Sequence, residues 1–182
     1  MPFLSHFLTL KSRNRTGSGK TPPEPKAGEW IPPKDFEHIV RLTPLIAIDL
    51  IVRSPDGRVL VGLRKNEPAR NMFFVPGSRI TKNESLAAAF KRISREELGV
   101  EMRLADASFR GVYEHFYPTN RFGKAGFGTH YITLGYELNQ PLDTAALPRD
   151  QHNDYAWMTE AELVGSPNVH PNTKAYFLKQ SR

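Results

Sequence analysis

Residues 84–97 hold the densest arrangement of groups able to do chemistry. Glu84, Arg92, Glu96 and Glu97 stand in or beside SLAAAFKRISREEL, a run of strong helix formers that Gly99 stops. At about 100° per residue, Leu86, Phe90, Ile93 and Glu97 fall on one stripe, so a carboxylate is aimed inward with the apolar side chains. An inward carboxylate is costly without a cation or a hydrogen-bond donor. Arg92 and Glu96 make an i,i+4 pair beside it, and Glu84 lies two turns upstream of Arg92, within reach of a long guanidinium. Spacing alone leaves two readings open: a carboxylate that serves a cation, and a surface helix with ordinary salt bridges. Asp49 raises the same question, because it interrupts the apolar run LIAIDLIV. It needs a cation, a hydrogen-bond donor or an internal salt bridge, for which Arg79 is a candidate.

These groups need a scaffold, and periodicity supplies one. A helix is predicted over Glu84–Leu98 and a short one after Pro33, with Phe36, Ile39 and Val40 on one face. Leu45–Arg53 and Arg58–Leu63 read as strands joined at the hairpin signal Asp56-Gly57. Phe73–Pro76 is a short apolar strand ending at Gly77. Phe109–Tyr117 and Thr129–Leu138 are strands flanking a glycine-rich loop, and Tyr155–Met158 is another. Two short helices, Glu160–Val164 and Asn172–Lys179, follow. Strands mixed with segregated helices indicate an α+β fold, an α/β/α sandwich with a mixed sheet. Residues 29–182 are expected to form this one domain. Lys, Arg, Ser, Thr, Gly and Pro dominate residues 11–28, so residues 1–28 are expected to be a disordered basic extension.

Composition excludes several classes of function. The chain has 182 residues, of which 39% are hydrophobic and 24% charged, and no apolar run approaches the roughly 18 residues of a membrane span. No membrane partner is therefore expected. Without cysteine there is no disulfide, thiolate metal site or cysteine nucleophile, which agrees with a cytoplasmic location. A metal must sit on oxygen or imidazole. The net charge of +6 suggests nucleic acid, but Lys11, Arg13, Arg15, Lys20 and Lys26 against Glu24 and Glu29 place half of it before Trp30. No nucleic-acid partner is expected, because no interleaved basic and aromatic surface follows. The opening MPFLSHFLTL precedes its basic residues, the reverse of a secretory signal. GSGKT at 17–21 is like the end of a phosphate-binding loop, but Pro22 and Pro23 forbid the helix such a loop needs.

The segment GSRITKNESLAAAFKRISREELGV at 77–100 resembles the Nudix box, G-x5-E-x7-R-E-U-x-E-E-x-G-U, where U is bulky and aliphatic. Glu84, Arg92, Glu96, Glu97, Gly99 and Val100 match it. Ser78 stands where the first glycine belongs, Ile93 where a glutamate follows the arginine, and Ser94 where an aliphatic is usual. A degenerate box of this kind is similar to that of the GDP-mannose mannosyl hydrolases. RLTPL, AIDLIV, GLRKNEPA, FFVPGSR, HFY, THYITLGY, QHNDYAWMT and NVHPNTKAYFL, in that order, resemble the same subfamily.

The resemblance implies a Nudix sandwich, a homodimer and a hydrolase dependent on Mg²⁺, one per subunit, with Mn²⁺ as a substitute. It implies attack of water at sugar C1 with inversion, releasing GDP and a free hexose from GDP-mannose or GDP-glucose. The alternative is a pyrophosphatase that cuts between phosphates, for which the loss of a carboxylate at Ile93 is unfavourable. By position in the motif, metal ligands would be the Gly77 carbonyl, Glu97 and Gln151. His152 would be the general base, a role suited to an imidazole near neutral pH. Arg64 and Arg79 would hold the diphosphate, Tyr131 would reach a phosphate, and Asp49 would meet a cation or sugar hydroxyl. Trp30, Ile31 and Phe36 would contact guanine, and His115 and Tyr117 would line the same cleft.

Overall fold

The computed structural model describes residues 26, 31–140, 142–150 and 152–178. In chain order the elements are α1 (Pro33–Leu42), β1 (Leu45–Arg53), β2 (Val59–Arg64), β3 (Phe73–Phe74), β4 (Gly77–Arg79) and α2 (Leu86–Leu98), followed by β5 (Ser108–Tyr117), β6 (Thr129–Asn139), β7 (His152–Met158), α3 (Glu160–Gly165) and α4 (Pro171–Lys174). The strands make one mixed sheet in the order β3-β2-β1-β6-β5, with β4 beside β1 and β7 beside β2. The fold is the expected α+β sandwich.

Strand β1 organises it. Ile48, Leu50 and Val52 point to one face, where they pack with Phe90 and Ile93 of α2. Ile51 points to the other face, against Val59, Val61, Leu163 and Tyr176. This is the period of two expected of a strand covered on both sides. Phe90 and Ile93 are fully buried, each contributing on the order of 2 kcal/mol of transfer free energy. Asp49 shares the Ile51 parity and so faces away from α2.

The pairing of β1 creates the opening that the site needs. It runs parallel to β6 from Leu45↔Tyr131 to Arg53↔Asn139. With β2 it pairs only at Arg53↔Val59, beside the predicted turn, where Gly57 takes φ +82°. Beyond that point the two strands part. Asp49 then lies opposite Gly77 of β4, whereas Gly62 lies opposite Tyr155 of β7.

Helix α2 begins at Leu86, two residues later than predicted, because Ser85 caps it by accepting from the Ala88 amide at 3.2 Å. Gly99, at φ +75°, ends it as expected. Strand β4 was not predicted, and β7 starts at His152 instead of Tyr155, so His152 is a sheet residue and not a loop residue. The final helix is shorter than predicted. Tyr176 and Phe177 bond to carbonyls three residues back, which tightens the turn after Lys174.

Candidate active site

Two constellations grow from α2. In the first, Arg92 grips Glu84 through two parallel bonds, Nε to Oε1 at 2.7 Å and Nη2 to Oε2 at 2.8 Å. Its Nη1 donates to Glu96 at 2.8 Å and its Nη2 to the Arg79 carbonyl at 3.0 Å. The guanidinium thereby ties the helix to β4. Burial works to raise the Glu84 pKa, but the bonds from Arg92 and Thr81 outweigh it and hold the carboxyl below its ordinary range. The spacing of Glu84, Arg92 and Glu96 thus reads correctly as an ion-pair network.

In the second, Glu97 is 2% exposed, on the stripe predicted for it. Its partner is His152, 5% exposed, with Nε2 lying 3.4 Å from Glu97 Oε2. The His152 ring has its space because residue 62 is glycine: a Cβ there would lie 2.4 Å from His152 Nδ1. That Nδ1 is buried and has no hydrogen-bond partner. The carboxylate on the Nε2 side favours the tautomer that carries its proton on Nε2.

On the other side of the opening lies a polar cleft of about 910 Å³, lined among others by Asp49, Arg64, Gly77, Arg79, Tyr117 and Tyr131. Arg64 lies over the Phe74 ring at 5.2 Å and Arg79 over the Phe36 ring at 4.4 Å. Aromatic faces attract guanidinium groups and hold them in place without neutralising them. Asp49 accepts a 2.7 Å hydrogen bond from the Tyr176 hydroxyl, in place of the salt bridge with Arg79 considered from sequence. Tyr176 lies 3.4 Å from His115 Nε2, and His115 Nδ1 lies 3.2 Å from the Thr133 hydroxyl. One proton ordering satisfies the whole chain: Thr133 donates to His115, His115 to Tyr176, and Tyr176 to Asp49. Burial pushes Asp49 up to about 7 despite the Tyr176 bond and the Arg64 charge. It pushes His115 down to about 4, so that imidazole stays neutral.

The cleft therefore brings together Asp49, Arg64, Gly77, Arg79, Tyr131 and Phe36, with His115 and Tyr117 beside them. Glu97 and His152 do not line it; they form a separate buried pair. Phe36 is 4% exposed and one face carries Arg79, so its ring supports the arginines. Ile31 lines an adjoining apolar pocket with Pro32, Pro33, Phe36, Arg121 and Phe122. Trp30 and Gln151 lie outside the described residues. Sequence reasoning missed Tyr176, Thr133 and Arg121. Nothing local marks a phenol in a C-terminal turn as the partner of an aspartate 127 residues away.

Oxygen donors at Gly77 and Glu97 suit a hard divalent cation. Gly77 is closely confined, since a Cβ there would lie 2.3 Å from Asp49 Oδ1 and 2.6 Å from the Ile48 carbonyl. Among the described residues no three His, Asp or Glu side chains converge as a metal cage. A carbonyl and a carboxylate are donor types that Mg²⁺ takes, with water and substrate phosphates completing its shell; here Gly77 lines the cleft and Glu97 lies in the buried pair with His152.

A mixed sheet covered on both faces, opening onto an arginine-bearing cleft beside a carboxylate helix, makes an α/β sandwich. The NUDIX domain family model matches residues 43–180. Over 146 residues the chain is 37% identical to the low-salt glycan biosynthesis protein Agl8 of Haloferax volcanii, covering 80% of this chain and 88% of that protein. The MutT NUDIX hydrolase of Burkholderia pseudomallei shares the fold, with a TM-score of 0.60, 20% identity, and coverage of 76% of this chain and 99% of that one. The NUDIX domain of Shewanella oneidensis NrtR, in complex with ADP ribose, does so at a TM-score of 0.57 and 18% identity, covering 81% and 90% of the two chains. The chain belongs to the NUDIX family and is a hydrolase of that class.

Proposed function

We propose that the chain hydrolyses a GDP-hexose, GDP-mannose or GDP-glucose, by attack of water at the sugar C1 with inversion. The observation that carries this reading is the inward face of α2. It offers one buried carboxylate, Glu97, while Ile93, at the position of the family's additional glutamate, is fully buried in the apolar core. A metal with that reduced protein charge is suited to neutralising a diphosphate as it leaves. The similarity to a glycan biosynthesis protein supports a sugar-bearing substrate.

Under this proposal Mg²⁺, replaceable by Mn²⁺, is held by the Gly77 carbonyl, Glu97 and Gln151, one ion per subunit of a homodimer. When bound, the ion supplies positive charge to the departing diphosphate. Arg64 and Arg79 bind phosphate oxygens, and Tyr131 donates to one of them. Asp49, fixed by Tyr176, orients a sugar hydroxyl. His152 is the proposed general base, a role that requires its ring, buried beside Glu97 and Gly62, to turn toward the cleft when substrate is bound. Trp30, Ile31 and Phe36 form the guanine end. Residues 29–182 carry the hydrolase and residues 1–28 an extension, so deleting the extension should preserve turnover.

The test is a panel of GDP-, UDP- and ADP-hexoses with Mg²⁺, scored for free hexose and nucleoside diphosphate. Turnover of a GDP-hexose to these products is expected. Nucleoside monophosphate and hexose phosphate would assign the chain to the pyrophosphatase chemistry of the alternative reading.

A further inference from the structure

We infer that Arg121 is a phosphate-binding residue, seated where the diphosphate of the nucleotide meets its nucleoside. It stands on the loop between β5 and β6, whose shape is set by Asn120. That side chain is 1% exposed, and its nitrogen donates to the carbonyls of Lys124 at 2.7 Å and Phe127 at 2.8 Å. Its oxygen accepts from the amides of Phe122 at 3.0 Å and Lys124 at 3.3 Å. Phe122 packs on Phe36 with ring centroids 5.9 Å apart, and Lys124 pairs with Glu37 of α1 at 2.5 Å. A loop anchored in this way presents Arg121 in a defined place.

That place is the Phe36 ring. The Arg121 guanidinium lies 5.6 Å from its centroid and the Arg79 guanidinium 4.4 Å. Two cations on one ring repel, and an anion received between them relieves the repulsion. Arg121 borders both the polar cleft of about 910 Å³ and the apolar pocket of about 520 Å³ formed by Ile31, Pro32, Pro33, Phe36 and Phe122. A ligand with a ring in the second and phosphates in the first passes Arg121 at their junction. The charges of Arg64, Arg79 and Arg121 all act on the Tyr131 hydroxyl, against the rise that burial imposes on its pKa. Three guanidinium groups thus share one neighbourhood.

The inference rests on the cleft being the nucleotide site, and its test is independent of which bond is cut. Calorimetric titration of the full chain with GDP, inorganic pyrophosphate and guanosine, each with Mg²⁺, would be compared with Arg121→Gln and Arg121→Lys. Arg121 is exposed, so both variants should fold, which thermal melting would verify. Arg121→Gln should weaken GDP and pyrophosphate by about 10- to 100-fold, leave guanosine within about twofold, and be partly rescued by lysine. Unchanged GDP affinity overturns the inference, as does a loss for GDP and guanosine with none for pyrophosphate, or a wild-type chain that binds neither anion. If anion binding responds as expected while no GDP-hexose is turned over, Arg121 stands and the proposed reaction fails.

Discussion

Glu96 and Glu97 are neighbours on one helix with opposite surroundings. Glu96 belongs to a network in which every Arg92 nitrogen has an acceptor, and that network fastens α2 to β4. Glu97 faces an imidazole 3.4 Å away whose other nitrogen is left without a partner. A satisfied network is structural, since changing its protonation would cost several bonds at once. A buried polar atom without a partner costs on the order of 1–3 kcal/mol and so calls for an explanation that a satisfied network does not. One face of α2 thus holds the fold, and the other carries the carboxylate proposed for the chemistry.

His152→Gln carries the largest expected effect. It should lower kcat by roughly 10²- to 10⁴-fold while leaving the melting temperature nearly unchanged. A large stability loss with proportionate inactivation would make the pair structural. Arg92→Met should show the reverse, destabilising by roughly 1–3 kcal/mol in denaturant unfolding because the half-buried Glu84 loses its counter-ion and keeps only the bonds from Thr81. Glu97→Gln should raise the Mg²⁺ concentration for half-maximal activity, and an unaltered metal titration would refute ligation. Gly62→Ala should push the His152 ring aside, costing roughly 1–3 kcal/mol of stability and lowering kcat without changing the metal requirement.

The smallest expected effect is a pH dependence of stability. Burial lowers His115 and His170 to about 4, so the unfolded chain takes up protons below its ordinary histidine range while the native chain does not. Their contribution is complete above pH 6.5 or so and is lost as pH falls toward 4. Asp49, raised to about 7, acts in the opposite sense, its contribution being present at low pH and lost as pH rises to 7. Two histidines outweigh one carboxylate, so stability should rise between pH 4 and 6.5. Asp49→Asn should make that rise steeper, which urea unfolding at several pH values would detect.

What could be read from the sequence followed local rules. The inward turn of Glu97, the network of Arg92, the glycine turns and the alternation of β1 are all set by neighbours within a few residues. The remainder depended on distant chain segments. Strand β4 is three residues of GSR, carrying no period of its own, and exists because β1 parts from β2 and exposes an edge. His152 enters the sheet through pairing with Arg64 beside a register shift, a tertiary effect that its polar neighbours obscure. Asp49 finds Tyr176 because its parity aims it away from α2.

Under the proposed function, water attacks carbon and not phosphorus. Hydrolysis of a GDP-hexose in ¹⁸O-labelled water, followed by mass spectrometry of both products, tests it directly. Label is expected in the free hexose and none in GDP; label in a phosphate-bearing product would contradict attack at C1.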